Sequence, residues 1–237
     1  LRRKALAEWI ASPENPLTAR VMVNRIWQYH FGRGIVATPS DFGTRAAAPS
    51  HPELLDWLAS EFIANGWSIK KMHKLMLMSE TYQQSAVISD KSSVISSDAR
   101  DPGLITSSHT TYHSEAQRID PDNKLLWRMN RLRLEGEVIR DSLLAISGQL
   151  NLEMCGPGIF PPIPKEISKG SKGGWPQNDH AREYSRRSIY IFARRNLRFP
   201  FLEVFDAPDS NLSCPSRERS TTAPQSLTLL NADEVTN

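Results

Sequence analysis

The chain has 237 residues, 39% hydrophobic and 23% charged, with 29 basic against 26 acidic side chains and a formal charge of +3. This is enough chain for one large domain or two small ones with a real core. The balanced charge excludes a nucleic-acid binder of the usual basic kind, and no run reaches the ~20 apolar residues of a membrane span. Twenty of the cations are Arg, whose planar fork suits carboxylate pairs and anions. Two cysteines, Cys155 and Cys214, exclude a disulfide framework and a Cys-rich zinc site. They are either a single pair, if the protein is exported, or two inert thiols. The N-terminal LRRKALAEWI lacks the pattern of a signal peptide, there is no initiator Met, and NADEVTN stops just after a helical pattern begins. These features read as a fragment of something longer.

A first helix is predicted over 1–11, with Leu6, Trp9 and Ile10 on one face and Ser12-Pro13 as its stop. Asn15-Pro16 caps a second, whose Leu17, Val21, Val23, Ile26, Trp27 and Phe31 suit a central helix ending at Gly32. After a Gly/Pro-rich loop, Ser50-His51-Pro52-Glu53 reads as a capping box. The third helix follows, burying Leu54, Leu55, Leu58 and Phe62 and stopping at Asn65-Gly66. Ser68 caps a fourth, carrying Ile69, Met72, Leu75 and Met76.

From Gln83 to Ile119 the periodicity vanishes into Ser, Thr, Asp and His, as in a linker or surface excursion, with a short extended piece at Leu104–Thr106. Asp120-Pro121-Asp122-Asn123 is expected to restart helix through Trp127. A longer helix follows with Leu134, Val138, Ile139, Leu143 and Ile146, ended by Gly148. Ser188 to Ala193 is the best strand candidate, with 34–37 or 158–160 as partner. Leu202–Phe205 fits one helical turn, and Thr222-Ala-Pro-Gln225 is a second capping box opening a helix from Leu227 to Val235. The fold class is therefore mainly α: an irregular multi-helix domain with long loops and at most a small β element near 188–193. Residues 1–84 form a helical block, 85–119 a polar linker or insertion, and 120–237 a second helical part packing on the first.

No metal-ligand or cofactor motif stands out. His30, His51, His73, His109, His113 and His180 are scattered without H-E-x-x-H. His109 and His113 have the spacing of two helix-face ligands but lie in a Ser/Thr-rich stretch, and His51 sits at a helix start, a poor place for a charged catalytic group. Without C-x-x-C-H this segment cannot attach haem in the c-type manner, and no G-x-G-x-x-G, Walker-type loop or G-x-S-x-G occurs. The Lys/Gly run from Gly170 to Gly174 reads as a loop. The densest polar segment runs from Asp206 to Gln225. Its Asp206, Asp209, Arg217 and Arg219 are the candidate site residues, because acids near Arg can act as a general base with an anion clamp. Asx-turns and Arg–carboxylate pairs hold such loops together with the same residues. Ser213 to Arg217 also fits the S-x-P-S-R core of formylglycine sulfatases, but the following Leu-Thr-Gly and the paired metal-binding aspartates are missing, so the match is read as coincidence.

The segments NPLTARVMVNRIWQYHFGRGIVATPSDFG, SHPELLDWLASEFIANGWSIKKMHKLMLMSETYQQS, DPDNKLLWRMNRLRLEGEVIRDSLLAISGQL, RRSIYIFARRN, FLEVFDAPDSN and TTAPQSLTLLN, in that order, resemble the C-terminal planctomycete-specific domain of unknown function of the 1553 type. In that family the domain usually ends large exported proteins that begin with a planctomycete-type cytochrome c domain. The stretch from Ala86 to Arg118 is longer than the family pattern, as an insertion would be, and the chain ends within the family's C-terminal helical part. The resemblance implies a periplasmic or exported setting, other domains of the same polypeptide as partners, and c-type haem only in an upstream domain. It carries no catalytic residue across. Two functions stay open: a helical accessory or interaction domain, or a hydrolase or lyase acting on anionic polysaccharide through Asp206, Asp209, Arg217 and Arg219.

Overall fold

A computed structural model describes residues 2–86, 115–164, 167, 174–232 and 235. The Leu104–Thr106 piece, the His109/His113 pair and most of the Lys/Gly run from Gly170 lie outside the described residues. The fold is mainly α, with isolated bridges rather than a sheet among the described residues. The chain divides into two compact units, Leu1–Leu132 and Arg133–Asn237.

The described residues of unit 1 include α1 (Arg2–Ile10), α2 (Thr18–Phe31), α3 (Pro52–Ala64), α4 (Ile69–Leu77) and the single turn α5 (Glu80–Gln83), with helix also at 115–119. Asn15 starts α2 as expected: its side-chain oxygen accepts from the N–H groups of Leu17 (2.9 Å) and Thr18 (3.1 Å), satisfying donors a helix start leaves orphaned. Gly32 ends it at φ +84°, where any Cβ would lie 2.4 Å from Leu132 Cδ2. Val23, Ile26, Trp27 and Phe31 of α2 pack with Leu55, Leu58 and Phe62 of α3 and Met72 and Met76 of α4 into one buried cluster. Ser68 caps α4 by accepting from Lys71 N–H.

Asn24 is the residue that periodicity does not anticipate. Fully buried in α2, it accepts from Val36 N–H (2.9 Å) and donates to Val36 C=O (3.0 Å), clasping the loop so that Ile35 and Val36 join the core.

Two expectations are corrected in unit 1, and one apolar face is left open. The Ser50 box does not close: Ser50 Oγ points back to Ile35 C=O (3.3 Å), so α3 begins at Pro52 without a side-chain cap. The α1 face stays open, with Leu6, Trp9 and Ile10 exposed. Residues 120–127 are turns instead of helix. The Asp120 carboxylate accepts from Lys124 N–H (2.9 Å) and Leu125 N–H (2.7 Å), and Trp127 Nε1 donates to Asp120 C=O. Asn123 and Leu126 take positive φ, which helix excludes. Asp and Asn side chains compete with the helical ladder for backbone donors, and here they win.

Unit 2 contains α6 (Gly136–Ile146), α7 (Ala181–Tyr184), a 3-10 turn at Ser188–Tyr190, α8 (Pro200–Val204) and α9 (Ala223–Asn231). Its apolar cluster is small: Trp175, Phe199, Phe201 and Phe205. The apolar face expected on α6 is mostly not buried, since Leu134, Val138 and Ile146 are exposed, whereas Arg140 of the same helix is buried. Arg140 donates to Tyr184 C=O (2.6 Å), Arg186 C=O (3.1 Å) and Ser188 Oγ (3.1 Å). Arg186, also buried, donates to the carbonyls of Glu153, Cys155 and Pro157 and lies 3.9 Å over the Tyr190 ring.

These guanidinium struts explain why 188–193 is no strand: Arg140 and Asp141 capture Ser188, and the chain turns there. The partner foreseen at 158–160 meets it through the single Ile159–Ile191 bridge and the Phe160 ring stacked on Phe192 (5.0 Å). Cys155 and Cys214 are both free and exposed.

Candidate functional site

The polar loop of unit 2 is positioned by the two short helices around it. Pro200 sits at the start of α8, where its missing N–H costs nothing, and Phe201 and Phe205 anchor the turn in the apolar cluster. Asp206 then takes φ +60° and ends α8, with Ala207 N–H reaching back to Leu202 C=O (2.9 Å). A left-handed non-glycine residue persists where its surroundings hold it. Here the Asp206 carboxylate accepts from Ser220 N–H (2.8 Å) and Ser220 Oγ (2.8 Å), and pairs with Arg133 at 3.2 Å.

Gln225, buried in the first turn of α9, completes the brace. Its amide nitrogen donates to Val204 C=O (3.0 Å), and its oxygen accepts from Thr222 N–H (3.1 Å), the reach-back bond of the expected capping box, and from Arg133 (3.0 Å). The Ser220 N–H is the main reason the Asp206 carboxyl is held below the ordinary carboxylate range, helped by the Ser220 hydroxyl and Arg133 and opposed by partial burial.

Asp209 is in a separate arrangement. It accepts from Asn211 N–H (2.9 Å) in an Asx-turn and pairs with Arg198 (3.1 Å). The Asn211 N–H leads in lowering its pKa. Arg217 lies elsewhere again, between Glu137 (2.7 Å) and Glu135 (3.2 Å) at the start of α6. Arg219 is exposed. Asp206, Asp209 and Arg217 thus each have their own set of partners.

Arg217, Glu135 and Glu137 line an open cleft of about 500 Å³, with Asp141, Arg198 and Phe192 also on its walls. Asp141 is held there by Ser188, which donates from its N–H (2.7 Å) and hydroxyl (2.6 Å). Chemically, the cleft presents carboxylates and guanidiniums already neutralising one another. A carboxylate of lowered pKa is a weaker general base, and both Asp206 and Asp209 are shifted in that direction. Among the described residues, no group of three or more His, Cys, Asp or Glu is arranged to hold a metal.

Sequence reasoning missed Glu135, Glu137 and Arg133 as partners of the loop and anticipated Gln225 only as the closing residue of a capping box. The only local signal was Glu135-Gly-Glu137 entering a helix, where acids also serve the dipole. No helix of the described residues is long and apolar enough to cross a membrane.

The model of the family described as PSD1, protein of unknown function (DUF1553), matches residues 2–237, and the chain belongs to that family. No curated protein and no solved structure matches it.

Proposed function

Starting from that membership, we propose that the chain is a helical accessory domain that docks other domains of a large, exported, planctomycete-type polypeptide bearing a c-type haem domain. The observation that carries this reading is the face of α1: Leu6, Trp9 and Ile10 are 56, 58 and 44% exposed. Covering the exposed half of each such side chain is worth roughly 1 kcal/mol, and Trp is among the residues enriched at interface hot spots. The occupant we assign to it is a neighbouring domain of the same polypeptide, the arrangement that the family resemblance implies. The locked state of the Asp206 and Asp209 carboxylates supports the same reading, because they serve the loop as braces.

Hydroxyl-radical footprinting of the full-length polypeptide tests it, with Trp57 (50% exposed on α3) as the internal comparison. Trp9 is expected to be oxidised much more slowly than Trp57. Equal oxidation of the two would remove the docking face.

A second reading, a hydrolase or lyase on anionic polysaccharide, draws support from the cleft holding Arg217 against Glu135 and Glu137. Its test is turnover by the full-length protein on sulfated and uronic-acid polysaccharides, with Asp206→Ala and Arg217→Ala alongside. The accessory reading expects no turnover. Activity abolished by Arg217→Ala in a folded protein would establish the enzyme instead.

A further inference from the structure

Packing of α2 against α4 in unit 1 brings together two side chains that lie 43 positions apart in sequence. His30 Nε2, in the last turn of α2, is 2.7 Å from His73 Nδ1 on α4. The rings meet nearly edge to face, with centroids 5.0 Å apart and an interplanar angle of 78°, and Tyr82 stands edge-on to His30 at 5.6 Å. Both imidazoles are half-buried, and each neighbours a core anchor: Phe31 follows His30, and Met72 precedes His73. The rings are therefore mounted on rigid elements while keeping a side open to water.

A hydrogen bond between two imidazoles uses the lone pair of one and the N–H of the other. Replacing that single proton by a cation lets both nitrogens donate to the same point. We propose that His30 and His73 form a binding site for one borderline divalent cation, Zn²⁺ or Cu²⁺, with water in the remaining coordination positions. Imidazole nitrogen is a preferred ligand for both ions, and two histidines on separate helices form a chelate, with water completing the coordination.

The spacing fits with a small adjustment. Two Zn–N bonds of about 2.0–2.1 Å at a tetrahedral angle place the nitrogens about 3.4 Å apart, so cation entry spreads the pair by roughly 0.7 Å and turns each lone pair roughly 35° off the line between the nitrogens. Side-chain torsions at two half-exposed rings can absorb that without moving either helix. Only the neutral ring is a ligand. Burial, and then the neighbouring His73, hold His30 below its ordinary value of 6.5.

The test is calorimetric titration of the full chain with zinc chloride and, separately, copper(II) chloride, together with thermal melts. One equivalent is expected to bind and to raise Tm, because a cation that binds only the folded state stabilises it. His73→Asn keeps a polar partner for His30 but removes a good ligand, and His30→Gln makes the same comparison from α2. Changes even to groups outside the coordination sphere cost about 10–100-fold in metal affinity, so either variant is expected to weaken binding at least about tenfold. His109→Ala/His113→Ala is expected to bind like the parent. A parent chain that takes up neither cation would overturn the proposal. So would a folded His73→Asn or His30→Gln that binds as tightly as the parent.

Discussion

In unit 1, Val23, Trp27, Phe31, Leu58, Phe62 and Met72 share a single apolar interior supplied by three helices. In unit 2, the buried cluster among the described residues is four aromatics, with partly buried residues such as Ile139, Leu143 and Phe160 against it, and Arg140, Arg186 and Gln225 are buried as well. Apart from the Asn24 clasp on Val36, the first interior is non-directional, so it can relax in part around a missing methyl group. The second rests on guanidinium groups that each hold several carbonyls, so removing one group orphans several acceptors together. Helical content therefore says little about what holds a segment; the ratio of apolar contact to directed hydrogen bonds says more.

The sharpest way to break the contrast is to cut each interior once. Phe62→Ala empties the centre of unit 1, where the ring is 2% exposed, and is expected to cost about 3–5 kcal/mol, read as a lowered urea midpoint. Phe62→Leu should recover most of that loss, because volume and apolarity are what the site needs.

Arg140→Ala leaves Tyr184 C=O, Arg186 C=O and Ser188 Oγ without their donor, at an expected cost of about 2–4 kcal/mol by the same measurement. Arg140→Met restores the volume but no donor and should recover little. If Met restores stability at position 140 as Leu does at position 62, the two interiors do not differ in kind.

Smaller effects come from acid and separate the units by pH window. His30 has a folded pKa below 6.5, so the unfolded chain takes up its proton first. Its contribution is complete above 6.5 and is lost as pH falls towards the folded value. His73→Asn should narrow that window by removing the second imidazole. Asp206 also has a lowered folded pKa, but from 3.8, so its contribution is complete above 3.8 and disappears only as pH drops through the lower folded value. Asp206→Asn should flatten that more acidic limb and leave the His30 window intact. Urea midpoints measured from about pH 8 to about pH 2 check both.

Much of unit 1 could be read directly. Asn15, Gly32, Gly66 and Ser68 punctuate α2, α3 and α4 through bonds made within a few residues, and the apolar spacing of α2 and α3 points at their real partners. The errors share a cause. Ser50, Asp120 and Ser188 all had a plausible local role, and all three found a competing partner: Ile35 C=O, the Lys124 and Leu125 N–H groups, and Arg140 with Asp141. At the candidate site, Asp206, Asp209 and Arg217 were visible as a dense run of polar residues. That Asp206 pairs with Arg133, and Arg217 with Glu135 and Glu137, was not visible, since those partners lie 73 to 82 positions away.

What the amino-acid order determined alone is the mainly α class, the helix ends near the amino terminus and the membership of a family, because caps, turns and periodicity act over a few residues. Tertiary structure alone decided that α1 keeps its apolar face uncovered, that Arg140 is an interior strut, and that His30 meets His73. Each of those depends on which segments meet after folding. The free energy of such a meeting comes from desolvation and hydrogen bonding between residues whose distance along the chain carries no information about their distance in space.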